Sequence, residues 1–179
     1  MQLSPATIRR LRDRLLETAH RPTPVVSSAY EVLTREGLLS AEEITALARI
    51  DPVAEVMFLA MASDGKVTEE EHDAITGAVR ELSHEVLHPG TIKVMLQNYA
   101  RSCLLEGRDQ RLRLVANNLS DRPDEAAVAL ELAAALVVAD GEVAELERTF
   151  MSQLAEWLGF EPREVDAALE SLSQDQANA

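Results

Sequence analysis

The chain has 179 residues and a formal net charge of −14, and it is 46% hydrophobic but only 3% aromatic. That length fits one domain, or one domain with an extension, and the composition supplies a core of Leu, Ala, Val and Met. The charge is uneven: residues 114–179 hold 14 acidic and 3 basic side chains, which excludes phosphate-backbone binding there and favours cations or basic partners.

The elements read as helices throughout. Ala and Leu are strong helix formers, and the alternation expected of strands is missing. Ser4-Pro5 has the form of an N-cap and first helical residue, and opens a helix to about Ala19 with Ile8, Leu11, Leu15 and Leu16 on one stripe. Pro22 and Pro24 separate it from a second helix ending at Gly37. Ser40 and Glu43 form a capping box that starts a third helix, and Asp51-Pro52 is expected to end it and start a fourth. That fourth helix, Val53 to Ala62, is apolar nearly all round, as a central buried helix must be.

Asp64-Gly65 ends it, and Thr68 with Glu71 caps a fifth helix that turns Ile75, Val79 and Leu82 inward. Beyond Pro89-Gly90, helices are expected over Thr91–Leu105, Asp109–Asn118, Asp124–Ala139 and Ala144–Leu158. Gly159 caps the last of these. Glu161-Pro162 opens a final helix with Val165, Ala168, Leu169 and Leu172 on one face.

The most apolar run, 126–139, is shorter than the roughly 20 residues a bilayer span needs. The N-terminal arginines Arg9, Arg10, Arg12 and Arg14 have no apolar signal region behind them. Cys103 is the only cysteine, so neither an intrachain disulfide nor a thiolate cage forms. The expectation is a cytoplasmic protein without membrane insertion.

One pattern, Asp-Gly-x-Val-x-x-x-Glu, occurs twice at a constant offset: Asp64, Gly65, Val67, Glu71 and Asp140, Gly141, Val143, Glu147. Each copy joins an apolar helix to an amphipathic one. The duplication predicts two pseudo-symmetric helical hairpins burying their apolar helices against each other. The spacing matches an EF-hand loop at its positions 5, 6, 8 and 12, but positions 1 and 3 would be Ala60 and Ala62, or Leu136 and Val138, which carry no oxygen ligand. A self-sufficient calcium loop is rejected. Gly65 and Gly141 as helix caps and Glu71 as capping-box partner supply a structural explanation. Ala144 stands where the first copy has Thr68, so Glu147 lacks that explanation. Any cation held by oxygen ligands alone would be a hard one such as Ca²⁺ or Mg²⁺.

The sequence Ala139-Asp140-Gly141-Glu142-Val143 behind an apolar helix, followed by Glu147 and by Leu158-Gly159, resembles the TerB-like family. That family includes the tellurite-resistance protein TerB and the N-terminal region of DjlA-type co-chaperones. The resemblance covers residues 50–172, best over Ala133–Phe160 and next best over Met57–Leu82. It implies an all-α compact bundle over 51–172, with 1–50 as an N-terminal helical extension and 173–179 as a frayed tail. It also implies a non-enzymatic stress-response module that works with a protein partner beside a membrane. Divalent-cation ligation at Asp64, Glu71, Asp140 and Glu147 is part of the same implication. Lys66 inside the first turn weakens that copy. A metal-independent scaffold with an apolar partner groove is the alternative.

His84-Glu85-Val86-Leu87-His88 matches the H-E-x-x-H pattern of zinc metallopeptidases, in which two His one helical turn apart hold zinc and Glu is the general base. No third His follows, and Pro89 is expected to end the helix at the second one. The plainer reading is two histidines near a helix C-terminus, where the dipole suits them. Glu55 and Glu131 lie within apolar helices, where a Glu is either partly buried with a raised pKa or, more commonly, reaches the surface, and Trp157 is expected in the core.

Overall fold

The computed structural model describes residues 4–17, 33, 39–65, 67–139 and 145–177, with backbone alone at 64, 171 and 173–177. Its helices are α1 (Pro5–Glu17), α2 (Ala41–Met61), α3 (Glu69–Leu82), α4 (Pro89–Glu106), α5 (Arg108–Ser120), α6 (Pro123–Val138), α7 (Glu145–Leu158) and α8 (Pro162–Ala177). A 3-10 turn, Ala62–Asp64, extends α2, and no strand occurs among the described residues. The all-α expectation is met. The second expected helix and Gly37 lie outside the described residues, apart from Leu33, which is buried.

The central elements are the two apolar helices. α2 and α6 pack on one another more extensively than any other pair, and both are buried around almost their whole circumference. The amphipathic helices cover them, with α8, α1 and α7 against α6, and α3, α4 and α5 against α2. α1 bridges α3 and α6, and Leu11 and Leu15 enter the same core as α2 and α6. Removing a side chain of this size from water contributes about 1.5–3 kcal/mol, so α1 is anchored to the bundle. Phe58 and Tyr99 form the only ring pair among the described residues, with centroids 5.8 Å apart. No helix among them is long and apolar enough to cross a membrane.

Local signals explain most of the ends. Ser40 and Glu43 form the reciprocal box at the start of α2, with the Glu43 amide donating to Ser40 Oγ (3.2 Å) and the Ser40 amide to Glu43 Oε2 (3.0 Å). Pro89 and Pro123 occupy the first turns of α4 and α6, where a missing N–H costs nothing. Gly159, at φ +85°, ends α7 with the paired bonds Phe160 N–H to Ala155 O and Gly159 N–H to Glu156 O.

One boundary is corrected. Asp51-Pro52 does not break the helix; α2 runs through it as one element with Pro52 inside. An interior proline costs roughly 3 kcal/mol, and here every residue from Asp51 to Met61 is buried, so packing of the surrounding turns outweighs that cost. Tyr99 of α4 also holds this point, its hydroxyl donating to Asp51 Oδ1 (2.6 Å) and lying 3.2 Å from the Asp51 carbonyl.

Candidate functional site

The first Asp-Gly turn is built by backbone chemistry. The 3-10 turn tightens the end of α2, and Gly65 takes the left-handed conformation (φ +88°) with its N–H bonded to the Ala62 carbonyl at 3.1 Å. Thr68 then caps α3, and Glu71 closes the box. Glu71 Oε2 accepts from the Thr68 amide (2.6 Å) and hydroxyl (2.8 Å). Arg108 of α5 reaches the same turn and donates to the Ser63 carbonyl at 2.7 Å. Thus one Glu71 oxygen serves the helix cap, and a nearby carbonyl already faces a guanidinium. The Asp64 side chain and Lys66 lie outside what is described.

In the second copy, Glu147 stands half-buried in the first turn of α7, while Asp140, Gly141 and Val143 lie outside the described residues. Among the described residues no group of three or more His, Cys, Asp or Glu side chains is gathered as a metal cluster.

The His-Glu-Val-Leu-His segment is not helical. α3 stops at Leu82, and the chain reverses through Ser83, His84 and Glu85, the last two with positive φ (52° and 61°). His88 occupies the N-cap position of α4 without a side-chain cap bond, and Pro89 begins that helix instead of ending the previous one. The expectation of two histidines near a helix C-terminus is therefore corrected for His88, which sits at the opposite end of a different helix. The two imidazoles do not share the helical face on which a zinc peptidase holds its metal.

A buried charge network lies inside the bundle, around one of the two glutamates that the sequence places in apolar helices. Glu55 is fully buried and grips Arg111 of α5 in a two-pronged pair: Nη2 lies 2.7 Å from Oε1 and 3.0 Å from Oε2, and Nε 2.9 Å from Oε1. Glu106 meets the other guanidinium nitrogen at 3.2 Å. Burial pushes the Glu55 carboxyl up to about 7 against the pull of Arg111. Burial and the adjacent Asp51 carboxylate hold the Tyr99 phenol well above its usual range. Burial and then Glu55 raise the Cys103 thiol to about 11, which leaves it protonated and a poor nucleophile at neutral pH.

Glu131, the counterpart of Glu55 in the repeat, is only partly covered and pairs at the surface with Arg14 and Arg10 of α1. Arg9 and Arg12 meet Glu81 of α3. The N-terminal arginines are thus bound within the bundle. Trp157 is half-buried, with the Arg113 guanidinium 5.2 Å from its ring centroid.

The signal that would have found Arg111 is its register. Arg111, Val115 and Leu119 share one helical stripe, which α5 buries. An arginine on a buried stripe and a glutamate in an apolar helix imply each other.

Beside the first turn lies an open, mostly apolar groove of about 500 Å³, lined by Phe58 of α2, by Val67 and His72, by Leu96, Cys103 and Leu104 of α4 and by Arg108 of α5. Leu104 and its neighbour Leu105 are 87% and 74% exposed.

Comparison with family models gives a match over residues 50–170, to the family described as tellurite resistance protein TerB. Neither the curated proteins nor the solved structures yield a match.

Proposed function

The chain belongs to the TerB family, and from that premise we propose that it acts without catalysis, as a cytoplasmic stress-response module of the tellurite-resistance type that engages a protein partner beside a membrane. The observation that carries the interaction reading is the apolar groove lined in part by the exposed Leu104, next to the exposed Leu105 in sequence. Its open form suits a side chain or helix face presented by another protein. The non-helical turn at His84 and the high-lying Cys103 thiol argue against the chemistry those residues would otherwise suggest.

The reading includes a divalent cation, Ca²⁺ or Mg²⁺, at the Asp-Gly turns. Of the four candidate ligands, Asp64 and Glu71 belong to a turn already engaged by the α3 cap and by Arg108. Ala144 offers no hydroxyl for a capping box in the second copy, so Asp140 and Glu147 are the pair to test first. Calorimetric titration of the full chain with Ca²⁺, Mg²⁺ and Zn²⁺, read with the melting temperature, tests this. Binding of Ca²⁺ or Mg²⁺ with a raised melting temperature is expected, lost in Asp140→Ala/Glu147→Ala and retained in Glu71→Gln. Absence of binding up to about 1 mM, the weak end of calcium modules, removes the cation. Only stoichiometric zinc that depends on His84 and His88, together with a peptidase activity lost in Glu85→Gln, restores the peptidase reading.

A further inference from the structure

α4 carries two exposed cations, Lys93 and Arg101, in an acidic protein. Its 18 residues contain one carboxylate, Glu106, which is already bonded to Arg111. Lys93, Gln97, Arg101 and Leu104 follow one another at helical spacing, all exposed. Gln97 and Leu104 line the groove, so Lys93 and Arg101 stand on the same rim, each one turn from a lining residue. Neither has an ion-pair partner among the described residues, whereas Arg9, Arg12, Arg14 and Arg111 all do. The lining residue His72 belongs to the same turn of α3 as the exposed Glu69 and Glu70, and the lining residue Arg108 is engaged by the Ser63 carbonyl and Asp109.

An apolar trough flanked by cations on α4 and carboxylates on α3 selects an occupant with the complementary pattern. We propose that the groove receives an amphipathic helix of a partner protein. Its apolar stripe lies over Val67, Cys103 and Leu104, its acidic flank faces Lys93 and Arg101, and its uncharged or basic flank faces the start of α3. The stretch from Lys93 to Leu104 spans about 16 Å at 1.5 Å per residue, which matches three turns of such a helix. Leu104 and Leu105 become the covered end of the interface. This inference rests on the interaction-module reading and is independent of the cation.

The test uses the full chain and three fluorescein-labelled synthetic helical peptides with one shared leucine stripe. Their flank toward α4 is glutamate, lysine or glutamine, and binding is followed by fluorescence anisotropy with and without chelator. The glutamate peptide is expected to bind at least about tenfold tighter than the lysine peptide, a preference of about 1.4 kcal/mol. The preference should fall with added salt. Lys93→Glu/Arg101→Glu should invert it, and Leu104→Asp should abolish binding of all three; these positions are exposed, and unchanged circular dichroism and melting temperature verify the fold.

Equal affinity for the three peptides, or binding by none, overturns the proposal. So does a self-associating chain that Leu104→Asp turns monomeric, since the groove then belongs to a second copy. Binding to anionic phospholipid vesicles through Lys93 and Arg101, without peptide preference, likewise overturns it in favour of a membrane surface. Peptide binding that survives chelation leaves the inference standing even where the cation titration fails.

Discussion

Glu55 and Arg111 are 56 residues apart in sequence and form a two-pronged ion pair in the interior, linking α2, one of the two central helices, to α5. Such a pair is costly to place and more costly to break, because removing one partner strands the other charge in a low-dielectric site. Arg111→Met is expected to destabilise the chain by about 3–5 kcal/mol. Glu55→Leu/Arg111→Met together should cost far less than Arg111→Met alone. Urea denaturation of the wild type, both single variants and the double variant measures this. A double variant as unstable as the sum of the singles contradicts the account.

The same pair gives stability a pH dependence with an unusual sign. The carboxyl of Glu55 lies at about 7 in the folded chain, against an ordinary 4.5. The folded state therefore holds a proton that the unfolded chain releases, and this group's contribution is fully present below pH 4.5 and lost as pH rises towards 7. A shift of that size corresponds to at most about 3 kcal/mol. Glu43 acts in the opposite sense: the hydrogen bond from the Ser40 amide lowers its carboxyl, so its contribution is present above pH 4.5 and lost as pH falls. Subtracting the urea midpoints of Glu55→Gln from those of the wild type between pH 4 and pH 8 isolates the first effect. A flat difference curve rules it out.

The signals legible in the sequence are those that act over one or two turns. Ser40 with Glu43, Thr68 with Glu71, and Leu158 before Gly159 mark helix ends because the capping groups are neighbours in sequence. The buried stripes of α1, α3 and α8 follow from periodicity, with Leu11, Ile75 and Val165 inward. Pro52 misleads because its local cost is set against burial by distant helices. The Glu55–Arg111 pair and the groove between α2 and α4 are likewise products of tertiary packing, so no short motif carries them. His84 and His88 show the converse: a motif defined on a helix loses its meaning where two left-handed residues make it a turn.

Two glycines should respond to alanine with opposite signs. Gly65 has φ +88°, and a Cβ there would meet nothing within 4 Å, so only the left-handed backbone opposes a side chain. Gly65→Ala is expected to cost about 1–2 kcal/mol. Gly77 lies exposed inside α3, where a Cβ also meets nothing, and Gly77→Ala should stabilise by about 0.5–1 kcal/mol. Paired thermal melts measure both. A stabilising Gly65→Ala would show that the first Asp-Gly turn does not need its left-handed residue.

The capping boxes provide the last measurement, and it also bears on the cation. Thr68→Ala removes the hydroxyl that accepts from the Glu71 amide and donates to Glu71 Oε2. Its cost should be about 1 kcal/mol, as should that of Ser40→Ala at the start of α2. Thr68→Ala also makes the first turn like the second, where Ala144 occupies the corresponding position. If the hydroxyl is what keeps Glu71 at the cap, calcium titration of Thr68→Ala should give greater binding than the wild type. If the Thr68 amide alone holds Glu71, through its 2.6 Å bond, the titration should be unchanged while the stability loss remains.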